Sequence, residues 1–238
     1  MKITHFKTLE STNKYLQNLL EEGIDIIDNI VVTDYQTAGK GQGKNVWQSD
    51  DGKNLLFSVA LDMSYLKAEN QFLLTQMVSV TMIDVLKKYL PEESLFIKWP
   101  NDIYFNDKKI AGILIKNEIK GMMMGTSIIG IGLNVNQTSF NENLPNPISM
   151  KMITGNDYDL EAILIEICEA LLPTANSQQP TANSYTEKLY RYKQWASYKH
   201  DGQVKEMMIL GYDQFGRLIL KEKNDLTVVC DLKEIVFV

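Results

Sequence analysis

The fold is decided by three apolar stretches in the middle of the chain, the longest of which reads Ser127-Ile128-Ile129-Gly130-Ile131-Gly132-Leu133-Asn134-Val135. The other two are Leu95-Phe96-Ile97-Lys98-Trp99 and Lys109-Ile110-Ala111-Gly112-Ile113-Leu114-Ile115. All three are rich in β-branched residues and bounded by turn residues, which predicts strands. The tripeptide Asn106-Asp107-Lys108 predicts a hairpin turn between two of them.

The remaining patterns place helices beside these strands. Further strands are predicted over residues 3–9, 29–34 and 54–61, and helices over 14–23, 70–90 and 160–172. Several strands in succession with helices gathered at either side predict an α+β domain with a mixed sheet. The tract 173–184, in which Pro-Thr-Ala-Asn-Ser occurs twice, is predicted to be a surface loop between two helices.

The chain changes character near its C-terminus. A helix is predicted from residue 185 to about 197, followed by short strands over 203–210, 218–223, 226–230 and 235–238. A β-module of about 40 residues is too small to be stable unless it docks on the main domain. We therefore expect two domains, residues 1–195 and residues 196–238.

Composition excludes several classes of protein. The formal net charge of the 238-residue chain is −6, without a Lys/Arg cluster, which argues against nucleic-acid binding by charge. Two cysteines and two histidines, none with metal-ligand spacing, argue against a structural zinc site, and no metal site built from protein ligands is expected. The sequence has no transmembrane-length apolar run and no signal peptide, so the expected location is a reducing cytoplasm without membrane association.

A glycine-rich segment between the second and third predicted strands is the strongest chemical signal. It reads Gln36-Thr37-Ala38-Gly39-Lys40-Gly41-Gln42-Gly43-Lys44-Asn45-Val46-Trp47. Glycines let a backbone approach a ligand closely, backbone N–H groups and lysines attract an anion, and a tryptophan offers a face to a base. The spacing fits neither a P-loop nor a dinucleotide fingerprint. A phosphate-containing, adenine-like ligand is the first hypothesis, and an ordinary exposed turn is the alternative.

Four other motifs permit chemistry, and each also has a structural explanation. Lys98-Trp99-Pro100-Asn101-Asp102 could bind phosphate or Mg²⁺, or form a solvated turn. Lys108-Lys109-Ile110-Ala111-Gly112 places an ammonium group beside an approachable backbone, or simply faces solvent. The glycines of Gly130-Ile131-Gly132-Leu133-Asn134 mark close approach of a ligand or tight packing. Ser11-Thr12-Asn13 is either a ligand-binding helix start or an ordinary N-cap.

Together and in this order, these five motifs resemble the biotin protein ligase family, in a short form without a DNA-binding domain. The resemblance covers most of residues 8–136 and continues weakly to the C-terminus. It implies an α+β catalytic domain followed by a small SH3-like β-barrel. It also implies formation of biotinyl-5'-AMP from biotin and Mg·ATP, and then biotin transfer to one lysine of a biotin carboxyl carrier domain of a carboxylase.

The resemblance also implies roles for individual residues. Biotin would be contacted by Ser11, Thr12, Asn13, Gln36, Gly39, Lys40, Gly41, Gln42, Lys109 and Gly112. The nucleotide would be contacted by Lys40, Trp47, Asn101 and Asn134. The catalytic residues would be Lys109, which neutralises charge in the transition state, Lys98, which binds phosphate, and Asp102, which receives the proton of the acceptor lysine.

Two departures from the family pattern carry expectations. The family loop is commonly Gly-Arg-Gly-Arg, whereas this chain has Gly39-Lys40-Gly41-Gln42, so we expect looser retention of the adenylate. The ligand motifs begin by residue 11, which leaves no room for a helix-turn-helix domain, so we expect no operator binding. A monomer and a homodimer both remain open.

Two other functions compete with the biotin ligase. A lipoate or octanoate ligase or transferase shares the fold, but an octanoyl transferase would need a nucleophile near the motifs, and Cys168 and Cys230 lie far from them in sequence. A non-enzymatic sensor of biotin or adenylate would not need a phosphate-facing lysine such as Lys109. Turnover of ATP distinguishes these functions.

Overall fold

The structure is a computed structural model that describes residues 2–43, 45–176 and 182–238. The strands of the first part are β1 (Lys2–Leu9), β2 (Asn29–Gln36), β3 (Leu55–Asp62), β4 (Leu95–Lys98), β5 (Asp102–Phe105), β6 (Lys108–Lys120) and β7 (Met123–Leu133). The helices are α1 (Thr12–Glu21), α2 (Phe72–Leu86), α3 (Met150–Thr154), α4 (Leu160–Asn176) and α5 (Ala182–Glu187). The C-terminal strands are β8 (Trp195–His200), β9 (Gln203–Tyr212), β10 (Leu218–Glu222), β11 (Thr227–Cys230) and β12 (Ile235–Phe237).

The first seven strands form one mixed sheet in the order β1-β2-β3-β7-β6-β5-β4. Strand β1 runs parallel to β2, and the other neighbours are antiparallel. The central strand β3 is buried at every position except Asp62, as expected for a strand covered on both faces. The sheet confirms the predicted α+β class.

The two faces of this sheet are covered unequally. Helices α2 and α4 pack on one face and form the main core with residues such as Phe57 and Ile129. On the other face, α1 contributes Leu16 to a small cluster with Val31, Ala60 and Ile128. Side chains alternate along a strand, so Ser58 and Gly130 face the same side as this small cluster. Helix α1 therefore leaves part of the second face free for a cavity.

The last five strands form an antiparallel sheet, here called the C-terminal unit, in the order β11-β10-β9-β8-β12. Its side chains Met207 and Leu218 are fully buried in the same core as α2 and α4. The indole Nε1 of Trp99 donates a hydrogen bond of 2.8 Å to the carbonyl oxygen of Gly216. A mixed sheet followed by a small docked β-unit is the predicted architecture. Among the described helices, none has the length and apolar character needed to cross a membrane.

One predicted element is wrong, and one strand of the main sheet was not predicted. The helix expected over 185–197 is wrong, because α5 ends at Glu187 and β8 already begins at Trp195. Arg191 and Lys193 adopt left-handed φ angles of 63° and 54°, which a helix cannot accommodate. The strand β5 was not predicted, because its first residue, Asp102, was interpreted as part of a motif that could form a solvated turn.

The tract 173–184 was predicted to be a loop, but residues 173–176 form the last turn of α4 and α5 begins at Ala182. Residues 177–181 of this tract lie outside the described part of the chain.

Candidate active site

The floor of the site is a row of paired residues that crosses four strands. Leu56 pairs with Gly132, Gly132 with Gly112, and Gly112 with Asp102. Because residues paired across strands present their side chains to the same face, the two glycines leave an open space between Leu56 and Asp102. Glycine has no side chain that could pack inside a strand, so its presence at these two positions indicates close approach by another group.

The group that approaches is the indole of Trp47, which the glycine loop carries over the floor. The loop folds back on itself through two backbone hydrogen bonds. The backbone N–H of Trp47 donates to Gly39 O at 3.0 Å, and the backbone N–H of Gly41 donates to Asn45 O at 2.8 Å. A Cβ atom at Gly112 would lie 3.0 Å from Cζ3 of the indole, and one at Gly132 would overlap the ring. Any larger residue at Gly132 must therefore displace Trp47.

A cavity of about 110 Å³ lies between this floor and the loop. The predicted site residues on its wall are Ser11, Thr12, Asn13, Gln36, Lys40, Gly41, Gln42, Trp47, Asn101, Asp102, Lys109 and Gly112. Residues from four separate parts of the sequence thus meet at one place. Gly39, Lys98 and Asn134 are not on this wall.

One wall of the cavity is a hydrogen-bonded network of neutral groups. Thr12 N–H donates to Oε1 of Gln36 at 2.9 Å, and the Nδ2 group of Asn13 donates to Leu114 O at 3.1 Å. The hydroxyl oxygen of Ser58 lies 2.7 Å from both Thr12 Oγ1 and Asn13 Oδ1. Such a network holds donors and acceptors in fixed directions toward a neutral polar ligand group.

Ser58 was missed by the sequence analysis, although it is fully buried and joins the residues of this network. The signal for Ser58 in the sequence was a hydroxyl group among the apolar residues 55–61 of β3. A buried hydroxyl needs a hydrogen-bond partner, and the partners here come from the start of α1. Sequence spacing alone did not show that α1 crosses β3 at this point.

The opposite wall carries the charged groups. Lys109 Nζ lies 2.7 Å from Asp102 Oδ1, and both side chains are a little under one-third exposed. The pairing of β5 with β6 shifts by one residue at Ile103/Tyr104, so Ile110 and Ala111 both turn into the core. A β-bulge of this kind redirects a side chain, and it places Lys109 on the cavity face beside Gly112. The site can therefore hold an anion against Lys109.

Asn101 and Lys98, on either side of the Trp-Pro pair, point in different directions. Asn101 Nδ2 donates a hydrogen bond to Ile113 O, which ties the turn before Asp102 to β6. Lys98 Nζ donates to the hydroxyl of Tyr104 at 3.0 Å and lies 5.1 Å from the ring centre of Phe237. The structure does not bring the Lys98 ammonium group into the cavity.

Burial lowers the pKa of Lys98 from its ordinary value, with Asp102 acting against this shift and Arg191 adding to it. The lysine predicted to bind phosphate is thus held among aromatic rings at the C-terminal unit. The Lys98 ammonium group interacts with Asp102 by longer-range electrostatic attraction and not by a direct ion pair.

A second cavity of about 400 Å³ adjoins the first and shares Trp47 and Lys109 with it. Its other walls include Asn134, Phe140, Leu144 and the two prolines Pro145 and Pro147. Asn134 Nδ2 donates to Ile148 O at 3.1 Å, but the buried Asn134 Oδ1 and Trp47 Nε1 have no hydrogen-bond partner among the described residues. An unpaired acceptor and donor beside an apolar slot suit a flat heteroaromatic base.

Metal ligands are sparse at the site. Within the described residues, no group of three or more His, Cys, Asp or Glu side chains is arranged to hold a metal ion. The carboxylate of Asp102 is already engaged by Lys109.

Comparison with solved structures identifies the fold. The Aquifex aeolicus biotin protein ligase in complex with biotin and ATP superposes with a TM-score of 0.79, at 22% identity, over 99% of this chain and 97% of that chain. The Leishmania major biotin protein ligase in complex with biotinyl-5-AMP gives a TM-score of 0.67 at 21% identity, over 97% and 98% of the two chains. The architecture is therefore that of the biotin protein ligase fold.

Sequence comparison gives the family. The model of the biotin/lipoate A/B protein ligase family matches residues 5–134, which contain all five motifs. The chain belongs to this family.

Curated relatives are longer than this chain. The bifunctional ligase/repressor BirA of Bacillus spizizenii is 31% identical over 167 residues, covering 67% of this chain and 48% of the relative. The human biotin–protein ligase is 31% identical over 238 residues, covering 90% of this chain and 31% of the relative. The chain thus spans about half or less of the length of these proteins.

Proposed function

We propose that this protein is an ATP-dependent ligase that activates biotin as biotinyl-5'-AMP and transfers the biotinyl group to a lysine of a biotin carboxyl carrier domain of a carboxylase. The observation that carries the proposal is the meeting of the neutral network, the Lys109–Asp102 pair and the glycine loop around one cavity. The names of the curated relatives and the ligands of the related solved structures support biotin as the acid.

In the first step, a carboxylate oxygen of biotin attacks the α-phosphorus of ATP, and the bond to the pyrophosphate group breaks. Two negatively charged groups must approach each other for this reaction. Lys109, placed on the cavity face by the bulge in β6, neutralises the carboxylate and the developing charge at phosphorus. The network of Thr12, Gln36 and Asn13 holds the neutral ring end of the acid.

The nucleotide is assigned to the second cavity. Trp47 lines both cavities, so its ring can pack against the base while the loop covers the phosphate. Asn134 and the indole Nε1 offer an acceptor and a donor to the base or ribose. Because Asp102 is paired with Lys109, Mg²⁺ would be held chiefly by the ATP phosphates and water, where it offsets their charge.

In the second step, the amine of the acceptor lysine attacks the carbonyl carbon of the mixed anhydride, and AMP leaves. The amine must lose a proton as the amide bond forms. Asp102 is the carboxylate on the cavity wall and is assigned as the group that receives this proton. The loop excludes water, which would otherwise hydrolyse the anhydride.

The test is ATP–pyrophosphate exchange measured with biotin, lipoate and octanoate separately. We expect exchange with biotin, reduced by about 10²- to 10³-fold in Lys109→Ala. Lys108→Ala is the matched control, because Lys108 is exposed and lies outside the cavity. Exchange only with lipoate or octanoate would assign the protein to the other branch of the family, and no exchange with any acid would favour a sensor.

A further inference from the structure

The tip of the glycine loop lies against a lysine of the C-terminal unit. Lys233 belongs to the turn between β11 and β12, and a side chain at Gly43 would begin 3.6 Å from its Cε and 3.8 Å from its Nζ. The two residues are separated by most of the chain length. The ammonium group of Lys233 therefore sits beside the segment that covers the cavity.

The backbone at Lys233 is unusual for this residue type. Glu234 N–H donates to Asp231 O at 3.1 Å, which closes a four-residue turn with Lys233 in third position. The φ angle of Lys233 is 77°, in the left-handed region that glycine ordinarily occupies at this turn position. A lysine here costs conformational energy that glycine would avoid. We therefore expect its side chain to make an interaction that offsets this cost.

The charge of Lys233 is also not balanced by an ion pair with a described residue. In the C-terminal unit, Lys205, Lys221 and Lys223 each form an ion pair with a carboxylate. Lys233, like the exposed Lys199 of β8, forms none with any residue that the structure describes, although Glu234 follows it directly. Glu234 instead accepts a hydrogen bond from Asp231 N–H.

The described loop residue that precedes the place where Lys233 approaches is neutral. Gln42 precedes Gly43 and lines both the substrate cavity and a larger cleft of about 680 Å³ toward the C-terminal unit. Asp231 and Leu232, from the turn that carries Lys233, line the same cleft. Lys233 thus offers a cation from another part of the chain beside the neutral Gln42.

We propose that Lys233 is a positioning residue that holds the glycine loop closed over the acyl-adenylate, adding from the C-terminal unit a cation beside Gly43 and the neutral Gln42. An ammonium group has three donors, which can reach loop carbonyl oxygens and stabilise a loop that faces a phosphate. This inference rests on the proposed function, because it needs a bound adenylate to retain.

The experiment measures how fast preformed biotinyl-adenylate leaves the full-length protein in a chase with unlabelled biotin and ATP. We expect Lys233→Met to release it about fivefold faster than the unmodified protein, as for the loss of one partly exposed charge interaction. Lys233→Arg should restore slow release, because it keeps the charge. Lys199→Met is the matched control, since Lys199 lies in β8 of the same unit and is exposed outside both the cavity and the cleft.

Lys233→Gly separates retention from folding. Glycine relieves the left-handed φ, so this variant should melt at or above the temperature of the unmodified protein and yet release adenylate as fast as Lys233→Met. Release from Lys233→Met at the unmodified rate, or an equal acceleration in Lys199→Met, would overturn the inference while leaving the proposed function intact. Absence of adenylate formation in the unmodified protein would overturn both.

Discussion

The ammonium group of Lys109 lies 2.7 Å from a carboxylate oxygen of Asp102 on the wall of the cavity. The pair joins the residue assigned to adenylate formation with the residue assigned to transfer. A substrate carboxylate that binds Lys109 must share or replace Asp102 as its partner. Asp102 is then released for the second step, so the ion pair offers a simple way to couple the order of the two reactions.

Asp102→Asn is expected to separate the two steps. The amide keeps the size of the side chain but cannot take up the proton of the acceptor amine. ATP–pyrophosphate exchange should stay within about tenfold of the unmodified rate, whereas transfer to the carrier domain should fall by about 10²-fold or more. Single-turnover transfer from preformed adenylate measures the second step directly. Equal losses in both steps would show that Asp102 acts through Lys109 alone.

Gly132→Ala is expected to weaken ATP binding through Trp47. A methyl group at this position overlaps the indole, and the loop that carries Trp47 must move. The apparent KM for ATP should rise about tenfold, while the melting temperature changes little because the loop is at the surface. Gly125→Ala is the control, since it lies on the same strand β7 and its methyl group meets the flexible carboxylate of Glu118. An unchanged KM for ATP would contradict the assigned position of the nucleotide.

Ser58→Ala is expected to raise the KM for biotin. The change removes the hydroxyl that lies 2.7 Å from Thr12 Oγ1 and Asn13 Oδ1 and leaves those groups less well oriented. A rise of about five- to tenfold is expected, with the KM for ATP unchanged. Ser79→Ala is the matched control, because Ser79 is equally buried in α2 and its hydroxyl has no partner within the described residues. Equal effects of both variants on biotin would refute the assignment.

Lys98→Met is expected to stabilise the fold at neutral pH. Burial holds the pKa of Lys98 below its ordinary value of 10.5, so the folded state binds this proton less tightly than the unfolded state. Stability of the unmodified protein therefore rises with pH between the two pKa values. The advantage of Lys98→Met should be largest at pH 7 and fade toward pH 10.5.

Urea unfolding at several pH values measures this trend. Lys7→Met, which removes an exposed lysine of β1, is the control and should show no such trend. A destabilised Lys98→Met variant at pH 7 would instead mean that the contacts with Tyr104 and Phe237 outweigh the cost of burying the charge.

Neither cysteine is expected to take part in the reaction. Burial raises the pKa of Cys168 to about 12, and burial together with Glu234 and Asp201 raises that of Cys230 to about 11. Both thiols should resist an aromatic disulfide reagent at pH 8 in the folded protein and react after denaturation. Activity should survive N-ethylmaleimide. Inactivation by alkylation of the folded protein would favour a thioester-forming transferase.

The sequence predicted much of the site because a pattern over a few residues indicates the side-chain packing and backbone freedom of those same residues. The stretch Ile128–Ile131 reads as a buried strand from its composition, and its glycines predict close approach wherever that strand lies. Lys109 was expected at the site only through the resemblance, since a lysine at the start of a strand ordinarily faces solvent. Its direction depends on the bulge opposite Ile103, which no spacing of residues reveals.

By itself, the sequence determined the elements of the sheet other than β5, the glycine positions and the family, because side-chain shape and backbone freedom act within a few residues. The tertiary structure alone decided that Ser58 meets Thr12, that Lys98 turns toward Phe237 and that Lys233 reaches the loop at Gly43. These contacts join residues distant in the chain. They follow from strand register and from the docking of the C-terminal unit, which depend on the packing of the whole core.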